Sequence, residues 1–255
     1  MPVATELRRV SATRYVTPLR EGGSLPGLVE ADDDGLYVVK FRGAGQGPLA
    51  LVAEVIGGEL ARALDLPVPE LVVVELDPAL GRAEPDPEIQ DLIAASPGEN
   101  LGVDFLPGSL PYLPAAGTPV DPDLAAAVVW LDALLTNVDR TARNPNLLLW
   151  HRRLWLIDHG AALYLHHGGL RPQEHARRPF PQVADHVLLP VAGSILGADD
   201  RLAPLVDDAL LRGVVGLVPP GWLPGGGDAY VEYLRLRLEA PRRFAAEAEE
   251  ARARA

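Results

Sequence analysis

Apolar and polar positions follow two different rhythms along this chain. Leu36 to Phe41 (LYVVKF) is β-branched and aromatic around a lysine and follows the turn-forming ADDDG, which predicts a strand ending near Lys40. From Pro48 to Leu64, the residues Val52, Val55, Ile56, Leu60 and Leu64 recur at helical spacing behind a proline suited to a first turn. A helix is predicted there, stopped by DLPVP. Glu70 to Leu76 (ELVVVEL) reads as a second strand, and Glu99 to Leu106 (ENLGVDFL) as a third that exits into PGSLPYLP.

Beyond Val120 the rhythm changes. DPDLAAAVVWLDALLTN opens on a capping Asp121 and continues as strong helix formers, apolar nearly all round, which predicts a helix buried on every side. NLLLW and RLWLID then flank His151 to Arg153, the length of a tight hairpin. From Val187 onward helical segments alternate with Pro and Gly, ending in the solvated FAAEAEEARARA. The pattern is α+β: a β-rich lobe over residues 1–105, a hinge at Leu101 to Gly108, and a helical lobe over 106–255.

Composition removes several classes of function. Cysteine is absent from the 255 residues, which excludes disulfides, thiolate metal sites and a thiol nucleophile, and suits the cytoplasm. MPVATELRRV lacks the apolar core of a signal peptide, and the longest apolar stretch, Leu124 to Leu135, is too short to span a membrane and carries Asp132. A net charge of −12 gives no electrostatic footprint for nucleic acid. Lys40 is the only lysine, the other basic residues all being arginine. An arginine-rich chain that keeps one lysine points to a position where a compact ammonium is needed.

The chemistry concentrates in TNVDRTARNPNLLLWHRRLWLIDHG, residues 136 to 160. Asp139 lies on the loop after the buried helix, Asn144 five residues on, and Asp158 at the end of the hairpin's second strand before His159 and Gly160. Singly, these residues suit ordinary loops and turns. Together they supply what phosphoryl transfer requires: a carboxylate to orient an acceptor hydroxyl, and an amide oxygen and a second carboxylate for Mg²⁺ on the phosphates. Glu54, on the helix after the Lys40 strand, is placed to pair with that lysine, with Glu59 as the competing partner. Gly57 and Gly58 in the same helix suit close packing against another element. Gly22, Gly23 and Ser24 form a candidate phosphate-facing turn, without a recognised phosphate-loop motif. RPQEHARRPF, residues 171 to 180, is a basic patch in an acidic chain that suits either an acidic acceptor or an exposed loop. His166 and His167 read as loop residues, and Trp130, Trp150 and Trp155 as core.

YVVKFRGAGQGPLALVAEVIGGELARALDLPVPE, with NVDRTARNPNLLLW and LWLIDHG, resembles the HipA-like kinase family, related in fold to the phosphatidylinositol kinases. The resemblance implies a two-lobed protein-kinase-like fold with an ATP cleft between the lobes. It implies Lys40 on the ATP phosphates, Glu54 as its partner, Asp139 as catalytic base, and Asn144 and Asp158 on Mg²⁺. Two features depart from the family pattern. His159 replaces the usual aromatic after the metal carboxylate, and Asn146 is a second candidate for the amide ligand. Pro145 biases Asn144 toward an extended backbone, so the two amides are expected to point in different directions, with Asn144 favoured by its offset from Asp139. The expected reaction is γ-phosphate transfer to a hydroxyl acceptor, foremost a protein Ser or Thr. A non-catalytic nucleotide-binding module, and a kinase or nucleotidyltransferase acting on a lipid or small molecule, remain as alternatives.

Overall fold

Period-two burial in the strands decides which side chains meet. The computed structural model describes residues 6–19, 25–45 and 47–255. Gly22, Gly23 and Ser24 lie outside the described residues. In β3 (Leu36–Lys40), Tyr37 and Val39 are buried on one face, which turns Val38 and Lys40 to the other. β1 (Arg8–Pro18), β2 (Gly27–Ala31), β3, β4 (Leu71–Leu76) and β5 (Gly98–Asp104) close into a barrel in the order β1-β2-β3-β5-β4. β1 and β4 pair in parallel and the other neighbours are antiparallel. Val10, Val29, Tyr37, Val39, Val72 and Val74 fill its interior. No side chain fits at Gly102, where a Cβ would come 2.6 Å from Val74 Cγ2.

The outer face of the barrel carries α1 (Pro48–Ala63), buried from Leu51 to Ala61. Val73, Leu101 and Val103 point out of the barrel into the same core as α1 and the helices beyond. A short helix, α2 (Pro87–Ala94), buries Ile89 and Ile93 against the barrel interior cluster. Leu101 to Asp104, expected in the hinge, are the last residues of β5. The strands β1 and β2, the helix α2 and the two-residue strand β6 (Leu110–Pro111) go beyond the elements expected from the sequence.

α3 (Pro122–Leu135) confirms the buried helix, with Asp121 accepting from the N–H groups of Asp123 and Leu124 and Thr136 closing it in a left-handed conformation. It is sealed by α4 (Pro172–His175), α5 (Ile195–Leu202), α6 (Asp208–Gly216), α7 (Asp228–Leu238) and α8 (Arg243–Arg252), of which α5, α7 and α8 pack on it directly. α6 packs on α1, so one apolar core joins the barrel's outer face to the helices. β7 (Leu147–Trp150) and β8 (Arg153–Leu156) form the expected hairpin and, with β6, a small sheet. His151 and Arg152 turn it with φ 47° and 63°, the two left-handed residues of a two-residue turn. Of the tryptophans expected in the core, Trp130 is fully buried. Trp150 and Trp155 are instead half-buried and meet edge to face on the hairpin, with ring centroids 5.3 Å apart. Among the described residues no helix is long and apolar enough to cross a membrane.

Candidate active site

β3 ends by aiming Lys40 at α1, and this sets the first half of the site. The Lys40 ammonium donates to Glu54 Oε1, and at 2.7 Å to Asp158 Oδ1. Glu54 Oε2 accepts from the His159 backbone N–H at 2.9 Å. Glu59, the competing partner, pairs with Arg62. Burial opposes a charged Lys40, but the carboxylates of Glu54 and Asp158 outweigh it and raise the ammonium above its ordinary value. Burial pushes Glu54 up to about 7 against the pull of Lys40. Burial opposes a charged Asp158, but the Lys40 charge together with the hydrogen bonds from Glu54 and Lys40 outweighs it and holds the carboxyl below the usual carboxylate range. The Asp158 side chain is 41% exposed, so this cluster opens to solvent at the carboxylate a metal would need.

His159 takes the place of an aromatic by remaining uncharged. Burial, and then the Arg140 charge, push its imidazole down to about 3. The ring packs against α1 at Gly57, where a Cβ would come 2.7 Å from His159 Cβ, so that glycine is required by close approach. Gly58 is equally tight against Leu71, at 2.8 Å.

The second half of the site is the loop after α3. Asp139 Oδ2 accepts from Asn144 Nδ2 at 2.7 Å and from Asn146 Nδ2 at 3.4 Å. The two amides therefore converge on one carboxylate oxygen, where the sequence led us to expect divergence. Asn146 reaches it through a left-handed backbone with φ 49°. Asn144 is exposed and Asn146 is buried.

A sealed polar network, which the sequence reading missed, ties the two halves together. Arg140 Nη1 donates to the backbone carbonyls of both Asn146 and Ile157, the latter at 3.1 Å, and so fixes the residue before β7 and the residue after β8. Its Nε donates to Asp132 Oδ2 at 2.5 Å. Asp132 also receives Asn137 Nδ2 at 2.9 Å and His186 Nε2 at 3.0 Å, and Asn137 Oδ1 accepts from the Asp139 backbone N–H at 3.2 Å. Burial alone would raise the Asp132 carboxyl, but Arg140, followed by His186, holds it below the usual range. The available signal was Asp132 itself, the one charge in the helix beyond its first turn, where every other residue is apolar.

The donors suited to a metal are hard oxygens: the Asp158 carboxylate and the amide oxygens of Asn144 and Asn146. Among the described residues there is no group of three or more His, Cys, Asp or Glu side chains arranged to hold a metal. A site of one carboxylate and one amide fits Mg²⁺, which keeps waters and takes further ligands from phosphates. His166 and His167 do not form a metal site; His166 is buried and bonds the Tyr230 hydroxyl at 3.1 Å.

A family model described as HipA-like kinase matches residues 13–176. The fold is similar to that of the Helicobacter pylori proinflammatory kinase CtkA, with a TM-score of 0.54 and 14% identity over 94% of this chain and 97% of that one. It is also similar to the Golgi casein kinase with Mn/ADP bound, with a TM-score of 0.53 and 12% identity over 97% of this chain and 74% of that one. No curated protein sequence matches significantly.

Proposed function

The chain belongs to the HipA-like kinases, and from that premise we propose that it transfers the γ-phosphoryl group of ATP to a Ser or Thr hydroxyl of a protein. The observation that carries this reading is the pairing of Lys40 with Glu54 and Asp158, tied through Arg140 to the loop holding Asp139, Asn144 and Asn146. The barrel and α1 form one lobe, residues 1–105, the remainder forms the other, and the nucleotide lies between them. Lys40, oriented by Glu54, meets the α- and β-phosphates as a point charge. Asp139 orients the acceptor hydroxyl. The acceptor oxygen bonds to the γ-phosphorus as the bond to the β–γ bridging oxygen breaks. ADP leaves, and the hydroxyl proton passes to Asp139.

Asp158 and Asn144 would hold Mg²⁺, which when bound neutralises charge on the phosphoryl oxygens. Asn144 is assigned over Asn146 because it is exposed to an incoming nucleotide, whereas Asn146 braces the hairpin through its carbonyl.

Incubation with γ-labelled and, separately, α-labelled ATP, with Mg²⁺ or with chelator, tests this on protein, lipid and small-molecule acceptors. The expected result is γ-label on protein Ser or Thr, dependent on Mg²⁺ and lost in Asp139→Asn. Transfer of α-label would mean nucleotidyl transfer, label on lipid alone would move the acceptor class, and no label on any acceptor would overturn the reading.

A further inference from the structure

The segment from Arg171 to Val187 is fixed at both ends, to the loop after α3 at one and to the end of α3 itself at the other. At its C-terminal end His186 pairs with Thr141 as an isolated β-bridge, and the Val187 N–H donates to the Arg140 carbonyl at 3.0 Å. Toward its start, Arg237 acts as a buried clamp. Its guanidinium donates to the carbonyls of Leu134 at 2.8 Å and Ala133 at 2.7 Å, at the end of α3, and to Ala176 at 3.2 Å. The Arg237 cation lies over Phe244, 5.2 Å from the ring centroid. Phe180 is buried, and its N–H donates to Glu247 Oε2 at 2.9 Å. The segment is thus a braced platform beside Asp139.

What the platform shows to solvent is three arginines against the two carboxylates Glu174 and Asp185, a local excess of positive charge in a protein whose net charge is −12. Arg171, Arg177 and Arg178 are exposed. Glu174 is shared between Arg171, at 2.7 Å, and Arg178. One carboxylate thus serves two guanidinium groups, while Arg177 has no ion-pair partner among the described residues. Arg143, exposed on the loop between Asp139 and Asn144, has none either. Guanidinium forks favour carboxylates, and Glu174 already occupies two of them in that manner.

We propose that this platform is the acceptor-docking surface and that the acceptor is an acidic protein segment, with Asp or Glu near the phosphorylated hydroxyl. The proposal rests on the protein-kinase reading above and adds the substrate class. Arg177 and Arg143 take carboxylates from the acceptor, and Glu174 competes with it for Arg171 and Arg178.

The test is a pair of Ser/Thr peptide pools, flanked on both sides by Asp and Glu in one and by Lys and Arg in the other, assayed with the full chain and γ-labelled ATP. Within each variant the quantity read is the ratio of kcat/KM for acidic over basic peptides, so a general loss of activity cancels. The parent should favour acidic peptides by about tenfold or more. The double variant Arg177→Glu/Arg178→Glu should bring the ratio to one or below, and Glu174→Gln should raise it by about two- to fivefold by freeing the two arginines. Damage to the fold cannot move the ratio in both directions. A parent that phosphorylates both pools equally would overturn the docking surface and leave the kinase reading standing, as would a Glu174→Gln ratio equal to or below the parent's. A third pool with phosphoserine flanks, preferred over Asp and Glu, would overturn the assignment to carboxylates. Label on neither protein nor peptide would sink both readings.

Discussion

Two buried charge clusters flank the base of the β7–β8 hairpin, built from similar groups and opposite in their access to water. Lys40, Glu54 and Asp158 open to solvent at Asp158, whose side chain is 41% exposed. In the other cluster the Arg140 and Asp132 side chains are 0% and 1% exposed, and His186 lies against them. A charge in contact with water can exchange its protein partner for a nucleotide or a metal. A sealed one can only hold geometry, because losing its partner leaves a bare charge in a poorly solvating interior. The open cluster suits binding and the sealed one bracing. The choice of cation fits the proposed roles: a compact ammonium where phosphates would be met, and a planar fork where Asp132 and two carbonyls are held at once.

Breaking the sealed cluster should cost most. Arg140→Met leaves Asp132 buried opposite no cation, and denaturant unfolding should show a loss of about 3–5 kcal/mol. Removing the stranded charge as well, in Arg140→Met/Asp132→Leu, should recover much of the stability without recovering activity. Recovery of activity would mean that the network does not position the loop.

The open cluster should respond in the opposite sense. Lys40→Arg keeps the charge and can still pair with Glu54, so stability should change little, yet turnover should fall by about 100-fold, since a fork does not fit the point between phosphates and Glu54. Steady-state kinetics at saturating ATP would check this, and parental turnover would remove Lys40 from its assigned role.

A neutral buried group outside both clusters serves as a third case. Burial, and then the neighbouring His167, push His166 down to about 4 from its ordinary 6.5. In the folded state it stays neutral while the unfolded chain takes up a proton, so its contribution to stability is full above pH 6.5, falls as pH drops, and levels off below about 4. His166 should contribute about 1 kcal/mol per pH unit to the slope in that window, and His166→Gln should reduce the slope by that amount in denaturant titrations at several pH values, leaving the part due to buried His159.

The smallest effect concerns the amides. Asn144→Ala should raise the Mg²⁺ concentration for half-maximal activity by about three- to tenfold with an unchanged melting temperature. Asn146→Ala should lower the melting temperature and leave the Mg²⁺ requirement near the parent's. A Mg²⁺ defect confined to Asn146→Ala would reverse the assignment.

The passage that carries Asp139, Asn144 and Asp158 was legible because its spacing is local: the three sit in one helix–loop–hairpin passage whose apolar pattern is strong. The buried α3 and the hairpin were legible for the same reason. β1 was not, because of its residues Val10 alone is buried. Its Arg-rich sequence pairs with β2 and β4 through backbone bonds that leave no alternation to read. α2 buries only Ile89 and Ile93, too few for a periodic signal. The sealed network escaped because its members come from three places in the chain: Asp132 on α3, Arg140 on the loop, and His186 at the far end of the platform. No window of sequence contains them together.

The notch at Gly57 has a thermodynamic consequence. His159 fills it with its ring, while the same residue's N–H holds Glu54 on α1, and Asp158 precedes it directly. α1 and Asp158, the proposed metal carboxylate, are therefore joined through one residue, with α6 resting on the helix. If Asp158 holds the proposed ion, a ligand that displaces α1 from outside must do work against ion binding. By linkage, the ion must oppose that ligand by the same factor.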